Sequence, residues 1–212
     1  MKLGGSSKRD LDDRPGNPRD LLVIGLGNPG ETYANTRHNL GADAARILAA
    51  RYQDRLRDDP KMSASVADIR VGDRRVVVAV PMTWMNESGQ AAAKLLRRYD
   101  IADYSNLVVI HDELDLPPGR IKVKSGGGLA GNNGLRSLTQ HLGTQDYSRV
   151  RIGVDKPPGG GAKGADWVLA KIPKSLRTDF DIACERAADA VELILAGGVE
   201  AAMQTVNAAP ED

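Results

Sequence analysis

Two short runs constrain this chain most. Leu21-Leu22-Val23-Ile24 and Leu107-Val108-Val109-Ile110 carry no polar side chain. A strand this apolar is covered on both faces, as inner strands of α/β sheets are. Between and around them the hydrophobic period changes repeatedly. Residues 66–70 and 75–80 read as a strand pair across the turn Gly72-Asp73. Residues 120–124 and 149–154 alternate basic and apolar groups, which marks half-buried strands. Helical spacing predicts helices over 36–52, 88–99 and 133–141. A last helix is expected from Ser175 as N-cap to a stop at Gly197-Gly198. Strands and helices alternate, so the expected class is α/β: a single-domain three-layer α/β/α fold with a twisted mixed sheet.

The 212 residues suit one domain with its own core. Cys184 is the only cysteine, which excludes an intrachain disulfide. One cysteine and three histidines leave little for structural zinc. Residues 1–20 hold only Met1, Leu3 and Leu11 as large apolar groups and are read as a flexible extension. The domain is expected over 21–207, with a tail at 208–212. The polar start lacks a secretory h-region, and no apolar run approaches the roughly 18 residues of a membrane span. A cytoplasmic chain without membrane contact is therefore expected.

The first apolar run leads into Gly25-Leu26-Gly27-Asn28-Pro29-Gly30, which fits the dinucleotide pattern G-x-G-x-x-G. Pro29 lacks the N–H a phosphate cradle would use, and the polar stretch 51–60 offers no strand ending in an acid. A tight strand-to-helix turn is the better reading. Asn28 then stands at the carboxyl end of a strand, where α/β sheets bind ligands. Its amide could hold an ester carbonyl or a developing oxyanion.

Three polar islands flank the apolar runs: residues 33–41 with His38, residues 81–89 with Asn86, and His111-Asp112-Glu113 directly after the second run. His38 in a first helical turn and Asp112 at a strand end could converge on one cleft. A carboxylate on one imidazole nitrogen fixes the tautomer and leaves the other as a base. No G-x-S-x-G elbow is present, and Cys184 lies among apolar neighbours, so the nucleophile expected is water.

These motifs in this order resemble the bacterial peptidyl-tRNA hydrolase family. The resemblance spans residues 21 to about 207 and includes Met85-Asn86-Glu87-Ser88-Gly89, Lys122-Val123-Lys124, Asn133-Gly134-Leu135 and Arg149-Val150-Arg151-Ile152-Gly153. It implies cleavage of the ester between a peptide and the terminal ribose of tRNA, by a monomer without metal or cofactor. It implies His38 as general base, Asp112 as its orienting carboxylate, and Asn28 and Asn86 on the peptide part and reacting ester. Asn132 and Asn133 would hold substrate or water, and Tyr33 and Met85 would line the cleft. Lys122, Lys124 and Arg151 would clamp the terminal phosphate of the tRNA.

The net charge of +1 excludes a chain that binds nucleic acid over its whole surface. Residues 119–151, however, hold six Lys/Arg against the single acid Asp146. The chain departs from the family pattern Gly-His-Asn-Gly at Gly131-Asn132-Asn133-Gly134. Asparagine can hydrogen-bond but cannot carry a charge or shuttle a proton, which implies reduced or retuned turnover. That departure favours a second reading, an RNA-binding relative with weak or lost hydrolysis; the retained His38, Asp112, Asn28 and Asn86 argue against it. A nucleotide-dependent enzyme is a third.

Overall fold

The computed structural model describes residues 19–159 and 164–208. Residues 1–18 of the expected extension and 209–212 of the expected tail lie outside the described residues. The chain runs β1 (Leu21–Gly25), α1 (Leu40–Arg51), β2 (Arg57–Asp59), β3 (Ala64–Val71), β4 (Arg74–Pro81), α2 (Ser88–Arg98) and β5 (Leu107–Glu113). It continues through β6 (Ile121–Ser125), α3 (Asn133–Leu142), β7 (Ser148–Gly153), α4 (Gly164–Leu169) and α5 (Lys174–Ala208). The seven strands form one sheet in the order β2-β3-β4-β1-β5-β7-β6.

The two apolar runs lie side by side at the centre. β1 is parallel to both β4 and β5, and β5 is parallel to β7. The pairs β2–β3, β3–β4 and β6–β7 are antiparallel, so the sheet is mixed as expected. Successive side chains of a strand point to opposite faces. Val23 and Ile110 therefore pack with Leu40, Ala45, Ala187 and Val191 on the α1 and α5 side. Leu22, Ile24 and Val109 pack with Ala91, Leu95, Leu135 and Leu138 on the α2 and α3 side. Burying each of these larger aliphatic groups contributes roughly 1.5–3 kcal/mol. Two such cores sandwiching one sheet make the three-layer α/β/α arrangement.

Several boundaries differ from the sequence reading, each for a physical reason. Arg19 and Asp20, counted above with the extension, lie just before β1 and are bonded to the strands beside it. Arg19 is buried and its Nε donates to Asp68 at 3.0 Å, while the Asp20 carboxylate accepts the Arg75 N–H at 2.7 Å. The polar stretch after α1 forms β2, an edge strand held by pairing with β3 rather than by burial. α1 begins only at Leu40, after a 3₁₀ turn over Arg37–Asn39. α5 begins at Lys174, so Ser175 lies inside its first turn. Gly198 (φ 83°) breaks its regularity, but helix resumes beyond it to Ala208. α4 was not foreseen.

Candidate active site

Two glycines set the distance between α1 and the sheet. A Cβ at Gly25 would lie 2.3 Å from the Gly41 carbonyl oxygen, and one at Gly41 2.2 Å from the Ile110 oxygen. The backbone N–H of Leu26 donates to Ile110 at 3.0 Å and that of Ala42 to Leu26 at 2.9 Å. Helix–strand contact therefore accounts for the glycines of the G-x-G pattern, and the turn's amides at Leu26 and Asn28 are already used. The nucleotide reading loses its phosphate cradle. The same contact presses the 3₁₀ turn carrying His38 against β5.

β5 extends through Glu113, so His111 and Asp112 lie within the strand rather than after it. Parallel pairing carries on past the apolar run, with Asp112 opposite Ile152 and Glu113 opposite Gly153 of β7. Asp112 projects to His38, whose Nδ1 lies 2.9 Å from both carboxylate oxygens. Both groups are buried, at 8% and 5% exposure. Burial alone would push the imidazole's pKa down. The Asp112 charge and hydrogen bond outweigh it and hold His38 above its ordinary value near 6.5. With Nδ1 committed as donor to the carboxylate, Nε2 of the neutral ring is left for the cleft that His38 lines.

That cleft measures about 830 Å³ and is also lined by Asn28, Met85, Asn86, Asp112, Asn132 and Asn133. Asn28 is held from both ends. Its Oδ1 accepts the Met85 N–H at 2.8 Å, which fixes the end of the amide that carries the Nδ2 donors. Its backbone N–H and carbonyl are gripped, each at 2.9 Å, by the carboxamide of buried Asn39. Tyr33, expected to line the cleft, is not among its lining residues; it packs edge-to-face on Trp84, which is, with ring centroids 5.6 Å apart. Asn86 is exposed within the 3₁₀ turn Met85–Glu87. Asn133 is exposed as well, and its Oδ1 accepts from Arg136 at 3.1 Å. Asn132 uses its amide inside the protein. Oδ1 accepts the N–H groups of Gly134 and Leu135, capping α3, and Nδ2 donates to Asp112 Oδ1 at 3.1 Å.

The basic residues gather on the neighbouring strands. Lys122 lies opposite Arg151 and Lys124 opposite Arg149, so all four share one sheet face. Arg149 is buried and donates to the carbonyls of Gly127, Gly128 and Gln145, which makes it a brace for the glycine-rich turn. Lys122, Lys124 and Arg151 are at least partly exposed. Arg151 also faces Glu113, which lines the cleft, at 3.7 Å.

Asn39 and Arg37 had no assigned role at the sequence level. Arg37 stacks 3.8 Å from the Trp167 ring centroid, tying α4 over the His38 turn. The only sequence signal for either was its place beside His38. Cys184 is buried, its thiol pushed up to about 12 by burial, and it bonds the Leu40 carbonyl. Among the described residues, no three His, Cys, Asp or Glu side chains gather as a metal-binding group, and no helix is long and apolar enough to cross a membrane.

A buried carboxylate bonded to one imidazole beside a cleft, on a seven-stranded mixed sheet, places the chain among α/β proteins that pair a histidine with a carboxylate. Relatives make the class particular. A family model described as peptidyl-tRNA hydrolase matches residues 22–212, and the chain belongs to that family. The chain is 47% identical over 188 residues to the peptidyl-tRNA hydrolase of Mycobacterium sp. (strain KMS), covering 89% of this chain and 97% of the relative. It is 48% identical, with the same coverage, to that of Mycobacterium marinum. The crystal structure of the Acinetobacter baumannii peptidyl-tRNA hydrolase superposes with a TM-score of 0.83 at 38% identity, over 90% of this chain and 96% of that one.

Proposed function

We propose that this chain hydrolyses the ester joining a peptide to the terminal ribose of tRNA, with His38 and Asp112 moving the proton. The carrying observation is the two-oxygen grip of Asp112 on His38 Nδ1. His38 Nε2 takes a proton from water as its oxygen bonds the ester carbonyl carbon. The resulting oxyanion accepts a hydrogen bond from Asn28 Nδ2, whose direction the Met85 N–H sets. The carbon–oxygen bond to the ribose then breaks, and the imidazolium returns its proton to the ribose oxygen. The products are a peptide carboxylic acid, which ionises by releasing its proton to solvent, and a tRNA with a free hydroxyl.

Asn86 and Asn133 stand at the cleft where they can bond the peptide and the water, Met85 forms part of its wall, and Tyr33 packs behind the lining Trp84. Lys122, Lys124 and Arg151 supply cations for a phosphate of the tRNA end. The protein is read as a cytoplasmic monomer that needs no cofactor. Hydrolysis in ¹⁸O-water tests the route. One labelled oxygen in the peptide carboxylate, with no covalent peptide–protein adduct on rapid quenching, is expected; a trapped adduct would overturn it.

A further inference from the structure

Among the described residues, Asn132 is the one cleft residue whose carboxamide is engaged at both ends by separate elements of the fold. Two backbone N–H groups of α3 point at one end of it, and only an oxygen can satisfy them. The other end must therefore be the NH₂, and it faces the Asp112 carboxylate. The orientation of the amide is thus dictated by the helix and is not free to flip.

We infer that Asn132 is a positioning residue, tying the Asp112 carboxylate to the first turn of α3 and so setting the direction in which that carboxylate grips His38. The inference rests on the proposed roles of His38 and Asp112. Asp112 is 5% exposed, and a buried carboxylate needs donors on its lone pairs. His38 Nδ1–H supplies one and Asn132 Nδ2–H a second, on Oδ1. Without the second, the carboxylate can rotate about its Cβ–Cγ bond and the imidazole follows it. The amide does not titrate, so this restraint is the same at every pH where the protein is folded. This function differs from the substrate contact expected of position 132, because the amide's acceptor is consumed by α3.

Two variants separate positioning from capping. Asn132→Ser keeps a capping oxygen but is too short to reach Asp112. Asn132→Asp keeps a strong N-cap but turns a carboxylate oxygen toward Asp112. Hydrolysis of peptidyl-tRNA is measured with kcat and KM resolved, beside thermal midpoints and an NMR titration of the His38 ring. Both variants are expected to melt within a few degrees of the parent, and to lose about ten- to hundredfold in kcat with KM nearly unchanged. For Asn132→Asp the added negative charge favours the imidazolium, so the His38 titration and the rising limb of the pH–rate profile move up by about one unit. Unaltered kcat and His38 titration, or a loss confined to KM, overturns the positioning role. His38→Ala is run in parallel. If it turns over like the parent, the reading of His38 and Asp112 fails and takes this inference with it. If it is inert while both Asn132 variants behave as the parent, only this inference fails.

Discussion

Gly41 touches Ile110 so closely that a Cβ on the glycine would sit 2.2 Å from the Ile110 carbonyl oxygen. The contact joins the helix behind His38 to the strand that carries Asp112. Gly41→Ala must push α1 off the sheet or distort β5. The expected cost is about 3 kcal/mol of stability, seen as a fall of about 6–12 °C in the thermal midpoint. Turnover should fall as well, because the His38–Asp112 distance depends on this contact. A variant that melts with the parent would show that the close approach does not set the packing.

The state of His38 sets the pH dependence. The base must be neutral to take a proton from water, and Asp112 holds the imidazole above its ordinary value near 6.5. The kcat/KM profile should therefore rise with pH through one inflection lying above 6.5. For stability the sign is opposite. A raised folded-state pKa contributes stability that is full below the unfolded value and is lost as pH rises through the folded one. An inflection below 6.5 would contradict the coupling to Asp112.

His111 carries the acid-side prediction. It is buried, its Nδ1 donates to the Asp112 carbonyl at 2.7 Å, and its Nε2 has no hydrogen-bond partner among the described residues. Burial pushes its pKa down to about 4. Between pH 6.5 and 4 the unfolded chain gains a proton here that the folded chain refuses. Unfolding free energy should fall across that window by up to about 3 kcal/mol. Chemical denaturation as a function of pH should show this slope in the parent and a flatter one in His111→Gln.

The basic face splits into two kinds of residue. Lys122→Ala with Arg151→Ala should weaken tRNA binding and reduce the magnitude of its log–log salt slope by about two, since each lost phosphate contact releases about one counterion fewer. Filter binding across a salt series measures it. An unchanged slope would leave these residues as surface charge. Arg149→Ala should instead lower stability, because it strands the carbonyls of Gly127 and Gly128 that its guanidinium bonds.

The parts legible in the sequence were those governed by local period. Leu22 and Val109 announced inner strands because nothing polar interrupts them, and the 66–70 and 75–80 pair announced its own turn. Asn28 and Asp112 could be singled out because they follow apolar runs at strand ends, and His38 because it stands in a first helical turn from which it could meet Asp112. What stayed hidden depended on contacts between distant segments. β5 continues through His111 and Asp112 because β7 pairs with them, a partner forty residues away. β2 exists only as the edge partner of β3. Arg149 looked like Arg151 in an alternating strand, yet it is buried against carbonyls of the glycine-rich turn. The double engagement of Asn132 needs α3 and β5 side by side, and no spacing reports that.

In the proposed mechanism His38, steered by Asp112, activates the water that cleaves peptidyl-tRNA. The most direct measurement is the hydrolysis rate of a defined peptidyl-tRNA by the parent chain and by His38→Ala under identical conditions, with both shown to be folded. The predicted result is turnover by the parent and a loss of about 10²–10⁴-fold in the variant. Equal rates in the two, whether both active or both inert, would contradict it.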